Sequence, residues 1–167
     1  CCDMLCSGGF EPESGFSARM TRVALATVFN LSLRTDFRGA LHAASGGQLI
    51  PGLLRVANSS PQRESHEIAL EALFNLAQEP ANLPHLLAPS VVCVAVVNLR
   101  NVWPFADAGV RSSAAGLLKA LSETDDGRRL LLTWEPRIVA AVTDACYGAC
   151  GAGRECDFVA FEWTAQT

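Results

Sequence analysis

The stretch "ALATVFNLSLRTDFRGALHAASGGQLIPGLL" at residues 24–54 matches a second stretch, "ALEALFNLAQEPANLPHLLAPSVVCVAVVNL", at residues 69–99. Both carry Phe-Asn-Leu at the same place and a second apolar cluster further on. The offset of 45 residues continues into a third stretch without a gap. A fixed period of this length is typical of repeat proteins, in which each unit packs on the next one.

Equivalent positions of the three stretches hold the same class of residue. The coinciding positions include Ala24, Ala69 and Ala114; Leu31, Leu76 and Leu121; and Leu41, Leu86 and Leu131. We expect Leu31, Leu76 and Leu121 to occupy equivalent buried sites. The Phe-Asn pair of the first two units gives way to Ala120 at the Asn position of the third unit.

Each unit is predicted to contain three helical segments. The first has the apolar spacing of an amphipathic helix, as at residues 67–78. The second segments, opened by residues that favour N-caps, are residues 36–44, 82–88 and 126–133. The third segments are residues 48–57, 91–101 and 137–147, and the breakers with Pro or Gly are residues 58–63, 103–109 and 148–153.

The run "VVCVAVV" at residues 91–97 favours a strand by composition alone. Its register with "QLIPGLL" at residues 48–54 favours a helix, and we predict a helix because the repeat is the stronger signal.

This unit, with its A-x-x-x-L-x-N-L core and a following helix of small residues, resembles the armadillo repeat family over residues 23–146. HEAT repeats are the nearest competitor, but they use two helices and usually lack this Asn. The resemblance implies an all-α fold, a right-handed α-solenoid of about three 45-residue three-helix repeats plus partial end repeats. Both ends fall within a unit, so we expect part of a longer array. The predicted single array spans residues 1–167, with units at about 19–63, 64–108 and 109–153 and partial repeats at 1–18 and 154–167.

The resemblance also implies a partner-binding surface. In that family the helix that carries the Asn lines a concave groove, where the amide bonds the backbone of an extended peptide. Asn30 and Asn75 are therefore the groove candidates, and the alternative is that each amide braces neighbouring helix turns. Glu71, Arg34 and Gln78 complete the predicted partner-binding set. Glu71 would favour a basic ligand, and a solvated surface charge is the alternative.

The sequence departs from one group of armadillo proteins at the positions that contact the ligand. Nuclear-import receptors carry a Trp four residues before the Asn, and here those positions hold Ala26, Glu71 and Gly116. We therefore do not expect recognition of a nuclear localisation signal.

Composition excludes several classes of function. The formal net charge of -4 gives no basic footprint, so we expect no direct nucleic-acid partner. No apolar run reaches the roughly 18 residues that cross a bilayer, so we expect no membrane partner. The seven cysteines are unevenly spaced and predict reduced thiols in the cytoplasm or nucleus, with no metal site and no cofactor.

No catalytic constellation is predicted. The segment "HEIAL" at residues 66–70 has Leu where a zinc protease of the HExxH type needs its second His. His42, His66 and His85 lie in different sections of the unit, and we expect His85 to be a packed core residue. The sequence therefore predicts a non-catalytic scaffold that binds a partner polypeptide or complex subunit along the concave helix surface. The alternatives are the substrate-recruiting armadillo region of a ubiquitin ligase, or a structural subunit of a large nuclear assembly of the chromatin-remodelling type.

Overall fold

The computed structural model describes residues 15–59, 63–100 and 108–151, and all regular structure in these ranges is helical. The helices form three triplets, one for each sequence repeat. The first is α1 (Gly15–Ser32), α2 (Thr35–Ala44) and α3 (Leu49–Ser59). The second is α4 (Arg63–Ala77), α5 (Leu83–Leu86) and α6 (Pro89–Leu99), and the third is α7 (Ala108–Ser122), α8 (Asp125–Leu132) and α9 (Glu135–Gly151). The all-α prediction is confirmed.

Helix α6 contains the run whose composition favours a strand. Most of its side chains are buried, and the helix contacts α3, α7 and α9. Burial on several sides outweighs the weak helix propensity of Val, because tertiary packing supplies most of the stability of a helix in a protein. Pro89 stands at the start of the helix, where its missing N–H costs nothing. The helix prediction for this run is confirmed.

Equivalent helices of successive units lie against each other. Helix α4 contacts both α1 and α7, and α6 contacts both α3 and α9. Each later first helix also packs on the third helix of the unit before it, since α4 contacts α3 and α7 contacts α6. The core therefore runs through the junctions between units, and its largest fully buried side chains include Ile50, Leu70, Leu73, Leu76, Leu86, Leu117 and Leu121.

The 45-residue period extends to the hydrogen bonds that end each first helix, where the last turn leaves carbonyl groups without helical partners. In every unit the backbone N–H three residues after the shared leucine bonds the carbonyl of that leucine. These bonds join Arg34 to Leu31 (3.1 Å), Glu79 to Leu76 (3.2 Å) and Thr124 to Leu121 (3.3 Å).

Arginine side chains at positions two periods apart bond the ends of the first helices of their units. Arg38 donates from Nε to the carbonyl oxygen of Ser32 at 2.7 Å. Arg128 donates from a guanidinium nitrogen to the carbonyl oxygen of Ser122 at 2.9 Å. An arginine side chain therefore bonds the carbonyl oxygen of the last residue of the first helix in the first and third units.

One of the three equivalent leucines departs from its predicted site. Leu76 and Leu121 are fully buried, whereas Leu31 is only half-buried. Helix α4 lies between α1 and α7, but within the described ranges α1 has a first helix on one side only. The prediction is confirmed for two sites and wrong for Leu31.

The predicted first residue of the second helix is confirmed as an N-cap only in the second unit. Asp36 lies inside α2 and forms an ion pair with Arg34. Asn82 stands at the N-cap position of α5 and ends a short 3₁₀ helix, Pro80–Asn82, but its side chain makes no cap bond. Helix α8 is capped by Thr124, whose Oγ1 accepts the N–H of Gly127 at 3.1 Å.

The structure describes only part of the three predicted breakers between units. Helix α9 continues through residue 148 to Gly151, so the expected breaker at residues 148–153 begins too early. Residues 60–62 and 103–107 of the other two breakers lie outside the described residues, as do residues 1–14 and 154–167 of the predicted partial repeats.

Helix α8 crosses the end of α7 so closely that residue 127 has no room for a side chain. A Cβ atom on Gly127 would lie 1.8 Å from the carbonyl oxygen of Leu121. At the equivalent place in the second unit, the Asn82 amide donates to the carbonyl oxygen of Leu76 at 3.1 Å. The close crossing therefore belongs to the third unit, since the equivalent positions of the other units hold Asn82 and Phe37.

We expect Gly127→Ala to destabilise the protein by about 3 kcal/mol, because a close backbone contact must open to admit the methyl group. Gly52→Ala is the matched control, since nothing lies within 4 Å of a Cβ at that helical position. We expect it to be neutral or to stabilise by up to about 1 kcal/mol through helix propensity. Urea unfolding of both variants measures this difference, and equal effects would contradict the close crossing.

Candidate functional site

The first helices share an outward surface, which we call the first-helix face. Its α4 part consists of half-buried or exposed side chains: Glu67, Glu71, Phe74, Asn75 and Gln78. The ring of Phe74 extends onto α7, because a Cβ on Gly116 would lie 2.6 Å from Phe74 Cε2. The surface is therefore continuous from α4 to α7, and α1 packs on the other side of α4.

The two candidate asparagines have different environments. Asn30 is exposed, and within the described residues its side chain has no hydrogen-bond partner. Asn75 is half-buried and donates from Nδ2 to Ser32 Oγ at 3.1 Å. Ser32 is fully buried, and its hydroxyl donates to the carbonyl oxygen of Phe29 at 2.7 Å. Asn75 thus ties α4 to the end of α1, as the bracing alternative expects, while Asn30 is free to contact a partner.

An acidic pair lies on the α4 part of the face. Burial of the side chain and, secondly, the negative charge of Glu67 raise the pKa of Glu71 above its ordinary value. Neither carboxylate forms an ion pair with any residue that the structure describes. A cation from outside would lower the electrostatic cost of both charges.

Arg34 and Gln78, the remaining predicted partner-binding residues, differ in the contacts that their side chains already make. Gln78 is exposed, and its amide donates to the carbonyl oxygen of Phe74 at 3.5 Å. Arg34 lies in the turn between α1 and α2, where it pairs with Asp36 at 2.8 Å and stacks 5.3 Å from the ring centre of Phe37. The Asp36 carboxylate raises the pKa of Arg34, and the guanidinium lowers the pKa of Asp36. Arg34 is thus engaged within its own unit.

The sequence analysis did not identify two buried side-chain amides whose hydrogen bonds contribute to the fold. Asn82 is 2% exposed and donates from Nδ2 to carbonyl oxygens of Arg38, at 2.9 Å, and Leu76, so it joins two units. Asn98 in α6 is also 2% exposed, accepts a hydrogen bond from His66 Nε2, and donates to the carbonyl oxygen of Val94 at 2.8 Å. Their only sequence signal is an amide among apolar residues.

The structure brings together two histidines that the sequence places 43 residues apart. The rings of His42 and His85 lie 4.4 Å apart between centroids. His42 is buried, and its Nδ1 has no hydrogen-bond partner among the described atoms, whereas His85 is exposed. The prediction of a packed core site is therefore wrong for His85. Burial and, secondly, the charge of His85 lower the pKa of His42.

Metal and membrane sites are not indicated in the described ranges. No cluster of three His, Cys, Asp or Glu side chains there has the arrangement to hold a metal ion. Among the same residues no single helix has the length and apolarity to cross a bilayer, and the one pair that passes this test together, Pro80–Leu86 with Pro89–Leu99, is bent by 90°.

Comparison of the chain with protein-family models, curated proteins and solved structures finds no match.

We expect Asn75→Ala to cost about 1 kcal/mol of stability, because it removes a hydrogen bond at a junction between units. Asn30→Ala is the matched control and should stay within about 0.5 kcal/mol of the parent protein, since its side chain is exposed. Thermal unfolding of both variants distinguishes the brace from the free amide. An equal loss in both would contradict the different environments.

We expect stability to fall as the pH drops below about 6.5, the ordinary pKa of His. The folded chain holds His42 at a lowered pKa, so the unfolded chain binds the proton first and protonation favours unfolding. His42→Leu places at this site the residue found at positions 87 and 132 of the other units. Its midpoint should fall less between pH 7.5 and pH 5.5, and an unchanged pH dependence would contradict the role of His42.

Proposed function

We propose that the chain is an armadillo-like right-handed α-solenoid that acts as a non-catalytic scaffold and binds a partner polypeptide along the first-helix face. The side-by-side packing of α1, α4 and α7 supports the solenoid, because the same junction repeats between units. The shared hydrogen bonds at the ends of the first helices support it as well. Neither Cys93 nor Cys146 forms a disulfide bond with a residue that the structure describes, which supports the cytoplasm or nucleus as the compartment.

One observation carries the choice of surface: two half-buried carboxylates, Glu67 and Glu71, lie on this face, and neither forms an ion pair within the part of the chain that the structure describes. Such a pair costs stability in the free protein, and a Lys or Arg side chain of a partner would remove that cost. Asn30 lies on the adjoining helix α1, and the oxygen and the NH₂ group of its side-chain amide can both bond a peptide backbone. Successive units lie roughly 10 Å apart, about the span of three extended residues, so one peptide can reach both places.

The proposed partner is therefore an extended polypeptide with a basic side chain. Glu71 and Glu67 contact the cation, and Asn30 bonds the peptide backbone. Gln78 lies directly after the end of α4. Asn75 serves mainly to hold the two helices at the right spacing through Ser32.

We expect selection from a random peptide library on the immobilised chain to enrich extended peptides with Lys or Arg at one position. The double variant Glu67→Gln/Glu71→Gln should weaken an enriched peptide by at least about tenfold, because hydrogen bonds to charged groups contribute about 1.5–3 kcal/mol. It should unfold no earlier than the parent protein at neutral pH, so loss of binding is not loss of fold.

Asp126→Asn is the matched control, since that carboxylate is exposed on α8 away from the first-helix face. It should leave the affinity unchanged. Binding should also weaken as the pH falls into the range where Glu71 protonates, a range extended upward by its raised pKa. Enrichment without basic residues, or equal loss in the control, would overturn the assignment.

A further inference from the structure

One side of α1 is open at the first end of the described stack. Its side chains are spaced by four, three and four residues, so they share one side of the helix. We call this stripe the head face: Met20, Ala24, Thr27 and Leu31. Leu31 is half-buried and the other three are exposed. One period later, every equivalent side chain on α4 is buried: Ser65, Ala69, Ala72 and Leu76.

A groove lies at the other end of the described stack, between α7, α8 and α9. It has a volume of about 480 Å³ and is lined mainly by apolar side chains. Four of these side chains form what we call the tail face: Leu131, Leu132, Val139 and Val142. Leu132 and Val139 are 68% and 57% exposed, which is unusual for side chains of this type.

The second unit holds the same four residues as the tail face. One period earlier these are Leu86, Leu87, Val94 and Val97. There Leu86 and Val94 are buried and Leu87 is half-buried. The unit that follows packs on this surface, because α6 contacts both α7 and α9. The tail face therefore has the residues of a surface that receives another unit.

The described chain forms the junction between units twice, with the same elements each time. The third helix of one unit packs on the first helix of the next, as α3 does on α4 and α6 on α7. First helices also pack on each other, and so do third helices. The head face and the tail face correspond to the two sides of this junction, one at each end of the stack.

We propose that the head face of one copy of this chain packs on the tail face of a second copy, so that α1 of the second copy continues the stack after α9 of the first. The two faces match because the tail face repeats the residues of the second unit, and Ala24 and Leu31 recur unchanged in α4 and α7. A second copy always carries the matching face. This contact concerns the ends of the stack and does not depend on what the first-helix face binds.

The charges around the groove are compatible with this contact. All side chains of the head and tail faces are uncharged. The charged side chains that line the groove are Arg128, which pairs with Asp125, and Glu135, and both are exposed. Closing the contact therefore buries apolar surface and leaves charged groups near water, as is typical of protein interfaces.

Sedimentation of the full chain tests the proposal. Each added copy leaves one head face and one tail face open, so growth does not stop at a dimer. The weight-average mass should therefore rise as the concentration increases from about 1 µM to about 1 mM, to more than about twice that of the monomer.

One charged substitution at each end should keep the chain monomeric. These variants are Thr27→Arg at the head face and Val139→Arg at the tail face, and both positions are exposed, so circular dichroism should show unchanged helix content. Gln78→Arg is the matched control, because this exposed residue of the second unit belongs to neither face. It should associate like the parent chain. Ala24→Arg and Leu132→Arg take the place of the two end variants if either of them fails to fold.

A mixture of the two end variants makes the test decisive. The Thr27→Arg chain keeps its tail face and the Val139→Arg chain keeps its head face, so together they should form a one-to-one complex that grows no further. A parent chain that stays monomeric over the whole concentration range would overturn the proposal. So would end variants that associate like the parent, a mixture that stays monomeric, or a parent dimer that does not grow, since the last indicates a symmetric contact.

Discussion

The stack depends on how the carbonyl groups at the end of each first helix are bonded. The carbonyl groups of the last turn have no partner further along the helix, and side chains that follow in the sequence donate to them. The first and third units use arginines, Arg38 and Arg128, that reach back from the second helix. The second unit has Leu83 at the equivalent position, and there the buried amide of Asn82 donates to the carbonyl oxygen of Leu76, one residue earlier in the period. Two kinds of side chain thus donate to carbonyl groups at the ends of the first helices.

The side-by-side packing of the first helices separates two kinds of surface. Helix α4 contacts α1 on one side and α7 on the other. The sides of such a stack carry polar groups such as Asn30, Glu67 and Glu71, whereas its ends carry the apolar surface that a next unit would cover. The peptide site proposed above lies on the polar sides.

The period in the sequence predicted the order and approximate bounds of the helices, including α6, because burial patterns repeat whenever equivalent helices pack alike. It did not predict the individual polar contacts, since these depend on what faces each residue in the next unit. Asn30 and Asn75 occupy the same place in the sequence repeat, yet only Asn75 bonds Ser32. Asn82 stands at the predicted N-cap position of α5, but its side chain bonds two carbonyl groups and no backbone N–H of that helix. Glu67 and Glu71 can be read from the sequence, but their partial burial cannot.

The contact between Phe74 and Gly116 offers the most direct measurement of the side-by-side arrangement. These residues are 42 positions apart, and the ring lies against the bare backbone of α7 because Gly116 has no side chain. In solution NMR spectra, the stacked arrangement predicts strong nuclear Overhauser effects between the Phe74 ring protons and the α-protons of Gly116. Their absence, in a chain that is otherwise folded and helical, would contradict the packing of α4 on α7 and with it the continuous first-helix face.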